Sequence, residues 1–87
     1  MNIAFTKIIR LKERQWEFNF RKLPGDQQNF HADVTDAKGD RIQFSIYKDA
    51  HGVWRTTGIK LPLWIADGDK LLGDAIEQGM VEFAKLQ

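Results

Sequence analysis

The sequence contains no cysteine. Neither a disulfide framework nor a thiolate metal site can be built from it, and the absence fits a reducing compartment. No apolar run approaches the roughly 18–20 residues that a membrane-spanning helix needs. The opening Met1-Asn2-Ile3-Ala4-Phe5 lacks a charged stretch with an apolar one behind it. No signal peptide is expected, so the expected location is cytoplasmic, away from membranes. Histidine occurs only at His31 and His51. They fall on different elements, without HxH or HExxH spacing, so no metal site is expected. Asp67-Gly68-Asp69 resembles a fragment of a calcium loop, but the downstream ligands are missing. There is no G-x-S-x-G and no P-loop. Internal repeats and low-complexity segments are not evident. These gaps leave no motif that points to catalysis. The expectation is a protein that is not an enzyme and carries no cofactor.

What is present is 87 residues, enough for one domain over 1–87 and not two. A domain of this size buries only part of its unfolded surface and is marginal alone, which makes self-association an expected remedy. The net charge of +1 hides a segregation. Residues 1–60 hold 11 Lys/Arg against 7 Asp/Glu, and residues 61–87 hold 2 against 5. A basic first part and an acidic last part suggest a face that meets an anion.

Hydrophobic periodicity divides the chain. Residues 3–12 alternate, with Ile3, Phe5, Ile9 and Leu11 opposite Thr6, Arg10 and Lys12, interrupted at Lys7 and Ile8. Glu13-Arg14 reads as a tight turn. Residues 15–23 set Trp16, Phe18 and Phe20 against Gln15, Glu17, Asn19 and Arg21. Pro24-Gly25-Asp26 is a turn signal. Residues 28–36 set Phe30, Ala32 and Val34 against Asn29, His31, Asp33 and Thr35. After Asp36-Ala37-Lys38-Gly39-Asp40, residues 41–48 set Ile42, Phe44 and Ile46 against Arg41, Gln43, Ser45 and Tyr47. Asp49-Ala50-His51-Gly52 is a further turn, and residues 53–61 form a short extended segment broken by Gly58.

Pro62 suits the first position of a helical turn. Asp67 or Asp69 can cap the main helix. Leu72, Ile76, Met80 and Phe83, flanked by Leu71, Ala75 and Leu86, form the apolar stripe of an amphipathic helix. Gly73 and Gly79 each cost helix propensity of order 1 kcal/mol and suggest close approach of another backbone. The expected fold is α+β: a four- to five-stranded antiparallel meander over about 3–61, then one C-terminal helix over about 63–86. The helix covers the apolar face, as nothing else can, and the polar face stays open.

Trp54 can pack at the sheet edge or reach a ligand. Trp64 reads as an anchor into the core or a dimer contact. The open face carries Arg10, Lys12, Asn19, Arg21, Arg41, Gln43, Tyr47 and Arg55, with Asn29 and His31 beside them. Cations track a phosphate backbone, amides and guanidiniums read bases, and an aromatic stacks on them. Sheet faces suit single strands because splayed bases lie across them.

The order of elements resembles the repeat of the PUR (purine-rich-element-binding) proteins and the related Whirly and transcriptional-coactivator families. Trp16-Glu17-Phe18-Asn19-Phe20 is similar to the aromatic-rich strand of a PUR repeat, and Gly39-Asp40-Arg41-Ile42-Gln43-Phe44 to the hairpin that follows. Gly58-Ile59-Lys60-Leu61, then Trp64 and Leu71-Leu72, resembles the approach to the coactivator helix. The likeness spans residues 8–83. Pro62 and Asp67-Gly68-Asp69 depart from it, which leaves the helix boundary and the dimer geometry open. The resemblance implies a homodimer that binds single-stranded DNA or RNA on the sheet surface away from the helix, a class that includes transcription regulators. It makes Asn19, Arg21, Arg41, Gln43 and Tyr47 candidates for contact. The alternative expectation is a non-enzymatic interaction or assembly module within a small cytoplasmic complex.

Overall fold

The computed structural model describes residues 2–86. Five strands form one antiparallel sheet in chain order: β1 (Ala4–Leu11), β2 (Arg14–Lys22), β3 (Asn29–Thr35), β4 (Arg41–Lys48) and β5 (Trp54–Thr57). Two helices follow, α1 (Leu63–Ala66) and α2 (Asp69–Lys85). The architecture is the expected α+β meander closed by a C-terminal helix.

Alternation places the strands as the pattern requires, with one revision in β1. Its register with β2 runs unbroken from Ala4↔Arg21 to Leu11↔Arg14, so nothing interrupts the strand at Lys7 and Ile8. Strict period two instead turns Lys7 toward the helix side and Ile8 outward, where it is 69% exposed. Lys7 is tolerated there because its Nζ reaches Glu82 of α2 at 2.8 Å. The hairpin turn also moves by one residue. Lys12 and Glu13 are the two loop residues, at φ of 53° and 63°, and Arg14 already opens β2. Positive φ at both central positions is the type I′ geometry that matches strand twist, although neither residue is one that favours it.

The loops after β3 and β4 share one device. Asp36 Oδ1 accepts the N–H groups of Lys38 and Asp40, and Asp49 Oδ1 accepts those of His51 and Val53. Each loop closes on a glycine at positive φ, Gly39 and Gly52. Asp-Ala-x-Gly is therefore used twice, a short repeat of turn chemistry.

The last segment differs most from the pattern. Strand β5 ends at Thr57, and Lys60 takes a φ of 56° in the loop beyond. Pro62 is the N-cap of α1, not its first residue. Asp67 is the C-cap of α1, while Gly68 is the N-cap of α2 without a side-chain cap. Asp69 opens α2 and accepts a hydrogen bond from the Thr56 hydroxyl at 2.7 Å. The expected single helix is thus split at Asp67-Gly68.

The core holds Phe18, Phe20, Phe30, Ala32, Val34, Phe44 and Ile46 from the sheet, with Leu72 and Ile76 from α2 and Ile65 from α1. Leu71 and Leu86, expected beside the stripe, are exposed. Among the strands, α2 makes its closest approaches to the two edge strands, β1 and β5, so the sheet curls around the helix. Gly73 and Gly79 explain how. A Cβ at Gly73 would lie 2.2 Å from Trp54 Cδ1, and one at Gly79 would lie 2.3 Å from Phe5 Cε1. The glycines admit aromatic side chains from β5 and β1, not another backbone. Trp54 is a packing residue, 5% exposed, and its Nε1 donates to Glu77 at 2.8 Å. Trp64 stacks on Trp16 with centroids 4.4 Å apart, which fixes α1 under β2.

Candidate nucleic-acid interface

The face away from α2 is assembled from alternate residues of all five strands. Cross-strand pairing sets one row as Ala4, Arg21, His31, Ser45 and Thr57. A second row is Thr6, Asn19, Asp33 and Gln43. Further along lie the pair Arg10 and Gln15 and the row Asn29, Tyr47 and Arg55. Seven of the eight candidate residues share this face. Lys12 does not; it lies in the β1–β2 turn, with its Nζ 3.9 Å from Asp67.

The middle of the face is a hydrogen-bonded chain. Thr6 Oγ1 donates to Asn19 Oδ1 at 2.6 Å. Asn19 Nδ2 donates to Asp33 Oδ1 at 2.9 Å. Arg41 Nη2 donates to Asp33 Oδ2 at 3.0 Å. The carboxylate is the hub, with its side chain 14% exposed. Burial pushes the Asp33 pKa up, but hydrogen bonds from Asn19 and Arg41 and the charge of Arg41 outweigh it, and the net direction is down. Asn19 and Arg41 are thereby held in fixed orientation.

The arginines differ in freedom. Arg55 Nε donates to Asp49 Oδ2 at 2.7 Å, and Arg41 is tied to Asp33. Arg10 and Arg21 make no ion pair among the described residues. Both are exposed. Arg21 borders a depression of about 560 Å³, together with Thr6, Asn19, His31, Asp33 and Gln43. Tyr47, the one Phe, Trp or Tyr on this face among the described residues, is 37% exposed.

What the arrangement offers is donors at fixed places, two unpaired cations along the β1–β2 side and one acceptor hub. Nothing in it resembles a nucleophile beside a base. Among the described residues no group of three His, Cys, Asp or Glu side chains is placed to hold a metal ion. No helix among them is long and apolar enough to cross a membrane. The part played by Asp33 is not evident from parity alone, which puts it on the face but does not show that Arg41, eight residues on, folds back to it. Comparison of the chain with protein-family models, curated proteins and solved structures finds no match.

Proposed function

We propose that this protein binds single-stranded nucleic acid, DNA or RNA, across the open face of its sheet, without a catalytic step. The observation that carries the reading is the exposure of Arg10 and Arg21, free of ion pairs among the described residues, beside the hydrogen-bonded Thr6–Asn19–Asp33–Arg41 chain. Free guanidiniums can neutralise phosphates, releasing counterions. The ordered amide and guanidinium groups present hydrogen-bonding edges to unstacked bases, and Tyr47 supplies a ring for stacking. Kinship with the PUR and Whirly group, and a role in transcription, belong to this proposal. The order of elements agrees with that group's pattern, with β5 and α1 as additions.

Fluorescence anisotropy of a labelled unstructured oligonucleotide tests the reading. Binding is expected at low salt, weakening as salt rises with a slope of about −0.7 per phosphate contacted. Arg10→Ala and Arg21→Ala should each lower that slope by about 0.7. Arg55→Ala should change it less, because Asp49 already neutralises that guanidinium. A slope indifferent to Arg10 and Arg21 would move the site elsewhere.

A further inference from the structure

Among the described residues, strand β1 is an edge of the sheet with no strand paired beyond it. It is eight residues long. The opposite edge, β5, has four, a length that itself discourages pairing. The hydrogen-bond phase of β1 follows from Lys22 N–H donating to Ile3 C=O at 2.9 Å. Antiparallel ladders alternate, so Phe5, Lys7, Ile9 and Leu11 bond to β2. Ala4, Thr6, Ile8 and Arg10 point their N–H and C=O groups outward. The same four residues put their side chains on the open face, and Ile8 in their midst is 69% exposed.

We infer that β1 pairs antiparallel with β1 of a second copy about a twofold axis at Ile8, giving a continuous ten-stranded sheet. The pairing is selected by the side chains. An axis at Lys7 would set the two lysines directly opposite each other, a like-charge pair that destabilises. An axis at Ile8 sets isoleucine against isoleucine, Thr6 against Arg10, and Lys7 against Ile9 on the helix side. An inward charge on an edge strand normally blocks such pairing. Here Glu82 of the same chain holds Lys7 Nζ at 2.8 Å, beneath the sheet, and the side chain is 18% exposed. A twofold perpendicular to the sheet keeps both open faces on one side. The two copies of Arg10 and Arg21 then flank the junction. The pairing does not depend on the nucleic-acid reading, since it rests on the edge of β1 alone.

The absence of cysteine makes the test clean. Ile8→Cys places two thiols at a directly opposed pair with Cα atoms about 5.5 Å apart, within the range that a disulfide bridges. Thr6→Cys places its own two thiols more than about 13 Å apart along the strands. Both positions are exposed on the open face, so both variants should keep the wild-type circular dichroism. The wild type is expected to sediment as a dimer. Ile8→Cys should cross-link under mild oxidation much faster than Thr6→Cys, and Ile8→Glu should raise the dissociation constant on the order of tenfold or more. A wild type that sediments only as a monomer overturns the inference, as does equal cross-linking of the two cysteine variants.

Discussion

At the residue scale, single carboxylates do more organising than the composition suggests. Asp49 closes its loop with two backbone hydrogen bonds and holds Arg55. The hydrogen bond from Arg55, with those from the Val53 and His51 N–H groups, takes its pKa from an ordinary 3.8 down to about 2. Asp33 is shifted the same way, as is Glu77, chiefly through the Trp54 indole N–H. A carboxyl with a depressed folded pKa stabilises the fold above its unfolded pKa, and that contribution is lost as pH falls through the folded value. Urea midpoints should therefore hold steady above about pH 5 and decline between about pH 4 and pH 2. Asp49→Asn, measured by the same urea titrations, should flatten part of that decline. Identical pH profiles for the variant and the wild type would remove Asp49 from this role. Parity in the sequence places Asp33 on the basic face, but it says nothing of Asp49 in its loop or of Glu77 on α2.

At the element scale, strands were the legible part of the sequence. Period-two runs such as Trp16, Phe18 and Phe20 face the core as the alternation requires. Where the alternation of β1 breaks, the polar Lys7 and apolar Ile8 obey the pleat and violate only the hydrophobic pattern. The reason lies far along the chain, in Glu82 of α2, which no local window contains. The glycines of α2 are a similar case. Gly73 and Gly79 look like a seam for another backbone, yet they seat Trp54 and Phe5. Alanine at an exposed helix position would gain about 1 kcal/mol over glycine. Here the methyl meets a ring wedged between helix and sheet, and overpacking of this kind costs about 1–3 kcal/mol. Gly73→Ala and Gly79→Ala should thus lower the urea midpoint, although propensity alone says they should raise it. A raised midpoint in both would show that the aromatic rings move aside freely. The split of the helix at Asp67-Gly68 was half legible: Pro62 and Asp67-Gly68-Asp69 mark a departure, while the placement of α1 depends on Trp64 stacking against Trp16.

At the scale of the whole molecule, the sheet curls around α2 and leaves one polar face uncovered. Helix and sheet bury most of the aromatics against each other, so these rings are spent on the core. The proposed binding therefore falls to arginine, amides and one tyrosine. That division was legible from alternation, which assigns Arg10, Asn19, Arg21, Arg41, Gln43, Tyr47 and Arg55 to one side. Lys12 falls off the face because the turn begins one residue earlier than the sequence suggests, and a residue in a turn belongs to neither face. The pairing within the face was not legible, since Asp33 and Arg41 meet only when β3 and β4 adopt their register. The most direct test is a map of backbone amide shifts, by two-dimensional NMR at low salt, as an unstructured single-stranded oligonucleotide is added. Shifts should concentrate on open-face positions of β1 to β4, strongest around Arg10, Asn19, Arg21 and Tyr47, with α2 almost silent. No shifts at saturating oligonucleotide, or shifts confined to α2 and the loops, would contradict binding on the open face.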